Sequence, residues 1–206
     1  MALQALRSDS RIEVVGLLTS ITRDYDRISV HGVRRSLLEA QVERLRIPLY
    51  EIQLEASCTN DMYEAAFHAA LARIRTDSPD VTHIAFGDLF LDDVRAYRER
   101  LLTGSGFDPL FPIWGEDTSA LARRFIDDGF AARIVCVDTT QLDSSFAGRA
   151  FDRQLLADLP ASVDPCGERG EFHTFVSHAP DFSSPIACRV GETVLRDNRF
   201  MFAEIE

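Results

Sequence analysis

Short apolar runs rich in strand formers alternate in this chain with segments of helical period, and that alternation limits the fold more than any other feature. The runs lie at residues 14–18, 47–54, 84–86 and 134–137. Each is apolar enough to suit a strand buried on both faces of a parallel sheet. Between them, Leu37, Leu38, Gln41, Val42 and Leu45 recur at helical spacing. Tyr63, Ala66, Phe67, Ala70, Leu71 and Ile74 do the same after the cap candidates Thr59, Asn60 and Asp61. Leu91, Val94, Leu101 and Leu102 mark another helix, and Leu121, Phe125 and Ile126 mark one ended by Gly129. Strand–helix–strand alternation predicts an α/β fold with a doubly wound parallel sheet.

The pattern changes after Asp138. Residues 144–159 read as one helix stopped by Pro160, and beyond Val163 the chain turns rich in Pro, Gly, Asp and Ser. Short β-like pieces follow at 172–176, 186–190 and 200–202. The expected organisation is an α/β domain over residues 1–140 and a small α+β appendage over 141–206.

With 206 residues, 46% of them hydrophobic, the chain can bury a sizeable core. A formal net charge of -11 argues against a nucleic-acid partner, which needs a clustered basic surface. All 22 basic residues are arginine, so chemistry that needs a lysine on a phosphate is outside this chain's reach. Cys58, Cys136, Cys166 and Cys188 form no CxxC pair, which indicates neither a zinc ribbon nor a disulfide framework and suits a reduced, cytoplasmic compartment. No apolar run has spanning length and no secretory leader is evident, so no membrane association is expected.

Four constellations are candidates for chemistry. The first is DPCGERGEFHT at 164–174, where Gly167 and Gly170 permit tight turns and Glu168, Glu171 and His173 stand within six residues, followed by Thr174. One histidine with two glutamates is a weak metal signal, and a polar turn closed by Arg169 is the competing reading. The second is FGDLFLDDVRAYR at 86–98. Gly87 and Asp88 lie where a strand ends and a helix begins, the usual ligand position in open α/β sheets. Asp88 is either a helix cap or a ligand-side carboxylate. The third is SVHGVR at 29–34, with His31 and Gly32 at a helix start. The fourth is PLFPIWG at 109–115, where Phe111 and Trp114 make a stiff aromatic wall suited to packing, stacking or holding a cation. Asp138, ending the last apolar run, is placed like a site residue or the start of a turn.

FGDLFLDDVRAYRERLL, PLFPIWGEDTSALA, IVCVDTTQL, FAGRAFDRQLLADLP and DPCGERGEFHTFV together resemble the bacterial-type branch of the diphthine–ammonia ligase family, over the whole chain. These are PP-loop ATP pyrophosphatases, a branch of the HUP class of nucleotide-binding domains. The resemblance implies a HUP-type domain over 1–140 and a substrate-side subdomain over 141–206. It implies an ATP- and magnesium-dependent ligase that adenylates a carboxylate, releases pyrophosphate, and lets ammonia displace AMP to form an amide. The acceptor is open, and a homodimer is a candidate assembly. By the same resemblance Leu18, Thr19, Ser20, His31, Gly32, Gly87 and Asp88 would bind the nucleotide, with Asp88 the magnesium contact. Glu168, Glu171 and His173 would be catalytic, and Trp114, Asp138, Gly167, Gly170 and Thr174 would bind the acceptor.

One departure is severe. The family opens with a strand and an SGGKDS-type loop whose backbone amides and lysine cradle pyrophosphate, and nothing in this chain matches it. MALQALRS resembles the helix that follows that loop. Either the start is placed too late or the chain is shortened; in both cases a weakly active or inactive chain is expected. A nucleotide-binding or regulatory module without turnover is the alternative. Without the first strand, the sheet is expected to carry a defect at its middle, or to draw residues 14–18 and 84–86 together.

Overall fold

Strand pairing follows the alternation of the sequence in the first half of the chain and departs from it in the second. The structure, a computed structural model, describes residues 1–206. In chain order the elements are α1 (Ala2–Ser8), β1 (Leu17–Thr22), β2 (Arg27–Ile28), α2 (Arg35–Leu45), β3 (Leu49–Leu54), α3 (Asn60–Asp77), β4 (His83–Ala85), α4 (Asp92–Leu102), β5 (Asp108–Leu110), α5 (Thr118–Asp127), β6 (Ala131–Asp138), α6 (Arg153–Asp158), β7 (Phe172–His178), β8 (Val190–Arg196) and β9 (Phe200–Ile205). The protein is a mixed α/β chain with parallel and antiparallel sheets. It divides into two units, Met1–Ser29 with Arg46–Gly115, and Val30–Leu45 with Glu116–Glu206. Strand β6 pairs with strands that follow it in the chain.

In the first unit β1 pairs in parallel with β3, Leu17 opposite Leu49 through Thr22 opposite Leu54, and β2 adds antiparallel at Ile21 and Thr22. A separate parallel pair joins β4 to β5. No ladder joins β1 to β4, so parallel pairing is interrupted and these strands are not drawn together. His83 and Ala85 on β4 are exposed, unlike a strand covered on both faces. Strand β5 contains Pro109, which a pattern search for strands passes over; proline is tolerated where one side of the strand is unpaired. Of the cap candidates Thr59, Asn60 and Asp61, Thr59 caps helix α3, its side chain accepting from the Met62 N–H. Its Phe67, Ala70, Leu71 and Ile74 bury against Ile52, Leu54, Leu101, Leu102 and Phe107.

In the second unit the four strands run in the order β7-β6-β9-β8, all antiparallel. This corrects the reading of residues 134–137 as a parallel strand. A strand buried on both faces is continuously apolar whatever the direction of its neighbours, and Ile134, Val135, Cys136 and Val137 are all buried. The single helix expected over 144–159 is also corrected. A 3-10 turn at Ser144–Phe146 is followed by an extended stretch, then by the short α6. The stretch is held by Gly148 N–H to Ile134 O, Ile134 N–H to Arg149 O and Phe151 N–H to Ala132 O. Those ladder bonds to β6 outcompete helix propensity, and they press Phe146 and Phe151 into a core with Ile134, Leu155 and Phe172.

Candidate functional site

The DPCGERGEFHT segment folds into a loop clamped from inside by two buried carboxylates. Asp164 Oδ2 accepts from the N–H groups of Cys166 and Glu168, each at 3.0 Å. Glu171, 1% exposed, accepts from the Asp164 N–H at 2.8 Å and the Arg169 N–H at 2.9 Å. Arg169 Nη1 stands 3.9 Å from Glu171, too far for a tight ion pair. Glu171 is therefore committed to the loop's own backbone, whereas Glu168 is half-buried at its rim. Gly167 takes φ of 70°, and a Cβ there would meet the Phe172 carbonyl at 2.7 Å. Gly167→Ala is expected to cost about 1–2 kcal/mol through backbone conformation alone, and more through that contact. A thermal melt unchanged from the parent would show that the turn relaxes freely.

Beyond the loop, β7 carries His173 and Thr174 past β6. His31 packs against His173 with ring centroids 4.4 Å apart and planes tilted by 31°. The turn that delivers His31 is strained: Val30, a β-branched residue, has φ of 68°, and Gly32 has φ of 71° with the Phe202 ring where a Cβ would lie. Burial depresses the His31 pKa, partly offset by a hydrogen bond with the Thr174 backbone. Burial, reinforced by the neighbouring His31, lowers that of His173 to about 4. Both rings are neutral at pH 7. The structure thus brings His31 and Gly32 together with His173 and Thr174 in one unit.

Asp138 is fully occupied. It is 1% exposed and receives Arg199 Nη2 at 2.6 Å and Nε at 3.1 Å, Thr140 Oγ1 at 2.7 Å and Gln141 Nε2 at 3.0 Å. The Arg199 guanidinium, then the Thr140 and Gln141 donors, hold its carboxyl well below the usual range. It locks β6 to the turn before β9. Sequence reasoning missed Arg199, which stands 61 residues away and follows no motif. The thiols of Cys136 and Cys166 are each pushed up to about 12 by burial, so neither is a nucleophile at neutral pH.

The other candidates lie in the first unit. Gly87 and Asp88 follow β4, but α4 starts at Asp92 with Leu91 as its cap residue, so Asp88 does not cap it. Asp88 Oδ2 is buried and accepts no hydrogen bond; Arg98 Nε, also without a hydrogen-bond partner, stands 3.5 Å away. Burial and the Arg98 ion pair close this oxygen off, so it suits magnesium, which takes one or two carboxylates and fills its shell with phosphate oxygens and water, only once Arg98 swings away. No group of three or more His, Cys, Asp or Glu side chains is arranged to hold a metal. The aromatic wall already holds a cation: Arg95 lies 4.9 Å from the ring centres of both Phe111 and Trp114, and Arg98 lies 5.1 Å from Phe86. Leu18, Thr19 and Ser20 are strand residues paired with Tyr50, Glu51 and Ile52; on the other side β2 pairs with Ile21 and Thr22, and the Ser20 carbonyl accepts from the Ser29 N–H at 3.0 Å.

Residues 117–202, which include the clamped loop, match the family model described as the diphthamide synthase C-terminal domain. The particular relatives are diphthine–ammonia ligases. Identity is 22% over 184 residues with that of Schizosaccharomyces pombe, covering 83% of this chain and 30% of the relative. With that of Homo sapiens it is 24% over 187 residues, covering 84% and 69%. With that of Danio rerio it is 23% over 194 residues, covering 85% and 74%. The chain thus spans under a third of the fission-yeast relative. The resemblance to the diphthine–ammonia ligase family is borne out at low identity. No helix is long and apolar enough to cross a membrane.

Proposed function

We propose that this chain carries the machinery of an ATP-dependent amide ligase of the diphthine–ammonia type. The observation that supports this reading is the match of residues 117–202, with their clamped loop, to the diphthamide synthase C-terminal domain. A carboxylate oxygen of the acceptor attacks the α-phosphorus of ATP, and the bond to the β-phosphate breaks, releasing pyrophosphate. Ammonia then attacks the acyl carbon; the C–N bond forms, AMP leaves with the C–O electron pair, and the surplus proton passes to solvent. Diphthine is the acceptor in the relatives' names; here the acceptor is a carboxylate of unassigned identity.

Within this reading the first unit is the HUP-type part, and Leu18, Thr19, Ser20, Gly87 and Asp88 take the nucleotide. Magnesium, when bound at Asp88, would neutralise phosphate charge. His31 and Gly32 move from the nucleotide group to the acceptor group, since they pack on His173 and Phe202. His173, neutral and weakly basic, orients ammonia by accepting a hydrogen bond; a general base needs a pKa nearer the working pH. Asp138, Glu171, Gly167 and Gly170 shape the acceptor side, Trp114 braces Arg95, and Glu168 and Thr174 face the chemistry.

The 206 residues contain no lysine and no SGGKDS-type loop, so the chain alone is expected to bind ATP weakly. Calorimetry with ATP and magnesium, on this chain and on a version extended upstream in its reading frame, tests this. Binding by the extended protein only supports the ligase; binding by this chain alone favours a nucleotide-sensing module. In the extended protein, Glu168→Ala is expected to lower turnover at least tenfold while sparing ATP affinity. Unchanged turnover removes Glu168 from the site.

A further inference from the structure

The antiparallel sheet of the second unit has two outer strands, and they are treated differently. The outer side of β7 is covered by its own chain: Gln41 Nε2 on α2 donates to Val176 O at 2.7 Å, the Ile186 N–H donates to Ser177 O at 2.8 Å, and His31 packs on His173. Strand β8 pairs with β9 alone. Every residue from Glu192 to Arg196 is exposed, including Val194 at 43% and Leu195 at 48%. Proteins usually blunt such an edge with a bulge, a proline or charged side chains. The bulge here, between Val190 and Thr193, lies at the start of the strand and leaves Thr193–Arg196 in regular register with Phe200–Ala203.

We propose that β8 is a self-pairing edge, joining antiparallel to β8 of a second copy of this chain about a twofold axis at Val194. The charge pattern selects that occupant. Glu192, within the bulge, and Arg196 flank Val194 at two residues' distance on either side. With Val194 opposite its twin, Glu192 of each copy faces Arg196 of the other, twice by symmetry, while Thr193 faces Leu195. Moving the axis to Thr193 puts Glu192 opposite Val194 and Arg196 opposite Val190; moving it to Leu195 puts Arg196 opposite Val194. One register satisfies both charges, and an interface in which each residue meets its complement on an identical copy is what a twofold dimer requires. The pairing would extend a four-stranded sheet to eight strands and cover the exposed Val194 and Leu195. It does not depend on the ligase reading.

Sedimentation velocity of the full chain from micromolar to about 100 μM protein tests the proposal. A reversible monomer–dimer equilibrium is expected. Glu192→Arg and Arg196→Glu, both at exposed positions, should each weaken it by about tenfold or more, since each replaces two attractive cross-strand pairs by repulsive ones. An equimolar mixture of the two variants should form a heterodimer of parental strength, and the double variant E192R/R196E should dimerise like the parent. A parent that stays monomeric throughout overturns the proposal. So does a dimer indifferent to the single substitutions, or a mixture of variants that fails to pair.

Discussion

Glu171→Ala is expected to lower the free energy of unfolding by roughly 2–4 kcal/mol, an effect urea denaturation would resolve. The estimate follows from two backbone donors, Asp164 N–H and Arg169 N–H, that lose their acceptor together in a buried place. Water has little access, because Glu171 is 1% exposed and Asp164 5%. Charge contributes little, since Arg169 is 3.9 Å away and half exposed. Glu171→Gln separates geometry from charge. It keeps one acceptor oxygen and presents an NH2 group to the other donor, so it should cost less than alanine but more than a surface change. A loss below about 0.5 kcal/mol for alanine, the scale of ordinary surface substitutions, would mean that the loop is not held by this carboxylate. Loss of turnover at Glu171 therefore reports a collapsed loop, and Glu168 is the better probe of chemistry.

Stability is also expected to fall as pH drops from 6.5 towards 4. The unfolded chain takes up a proton on His173 near its ordinary pKa of 6.5, while the folded chain resists until about 4. Protons are bound more by the unfolded state across that window, so acidification favours unfolding, and the loss is complete below the folded pKa. His31, depressed in the same direction, steepens the slope. The carboxylates held low by partners, Asp9, Asp138, Asp143 and Asp158, act in the same direction but only below about pH 5, so the slope above that reports the histidines. Denaturation at a series of pH values should show the slope in the parent and a flatter one in His173→Asn. An identical slope in both would place the proton uptake elsewhere.

Motif order and helical period were legible one residue at a time. Thr59, Asn60 and Asp61 were marked as cap candidates, the stripe from Phe67 to Ile74 by its spacing, and the helix at Ala2–Ser8 by its resemblance to a helix of the family. DPCGERGEFHT was marked by its density of ionisable groups. The structure then divided those groups by burial: Asp164 and Glu171 hold the backbone, while Glu168 and His173 are left half-buried at the surface of the loop.

Local pattern decides where a segment is apolar, how it is capped and which residues are dense in charge, because those properties depend on near neighbours along the chain. The sequence by itself therefore determined the α/β class, the helices up to Asp127 and the candidate loop. Strand direction, the break between β1 and β4, the pairing of residues 148–151 with β6, the Asp138–Arg199 lock and the packing of His31 on His173 were decided only in three dimensions. Each joins residues far apart in the chain, through hydrogen bonds or ring contacts whose strength depends on burial, and no local period encodes which distant partner wins.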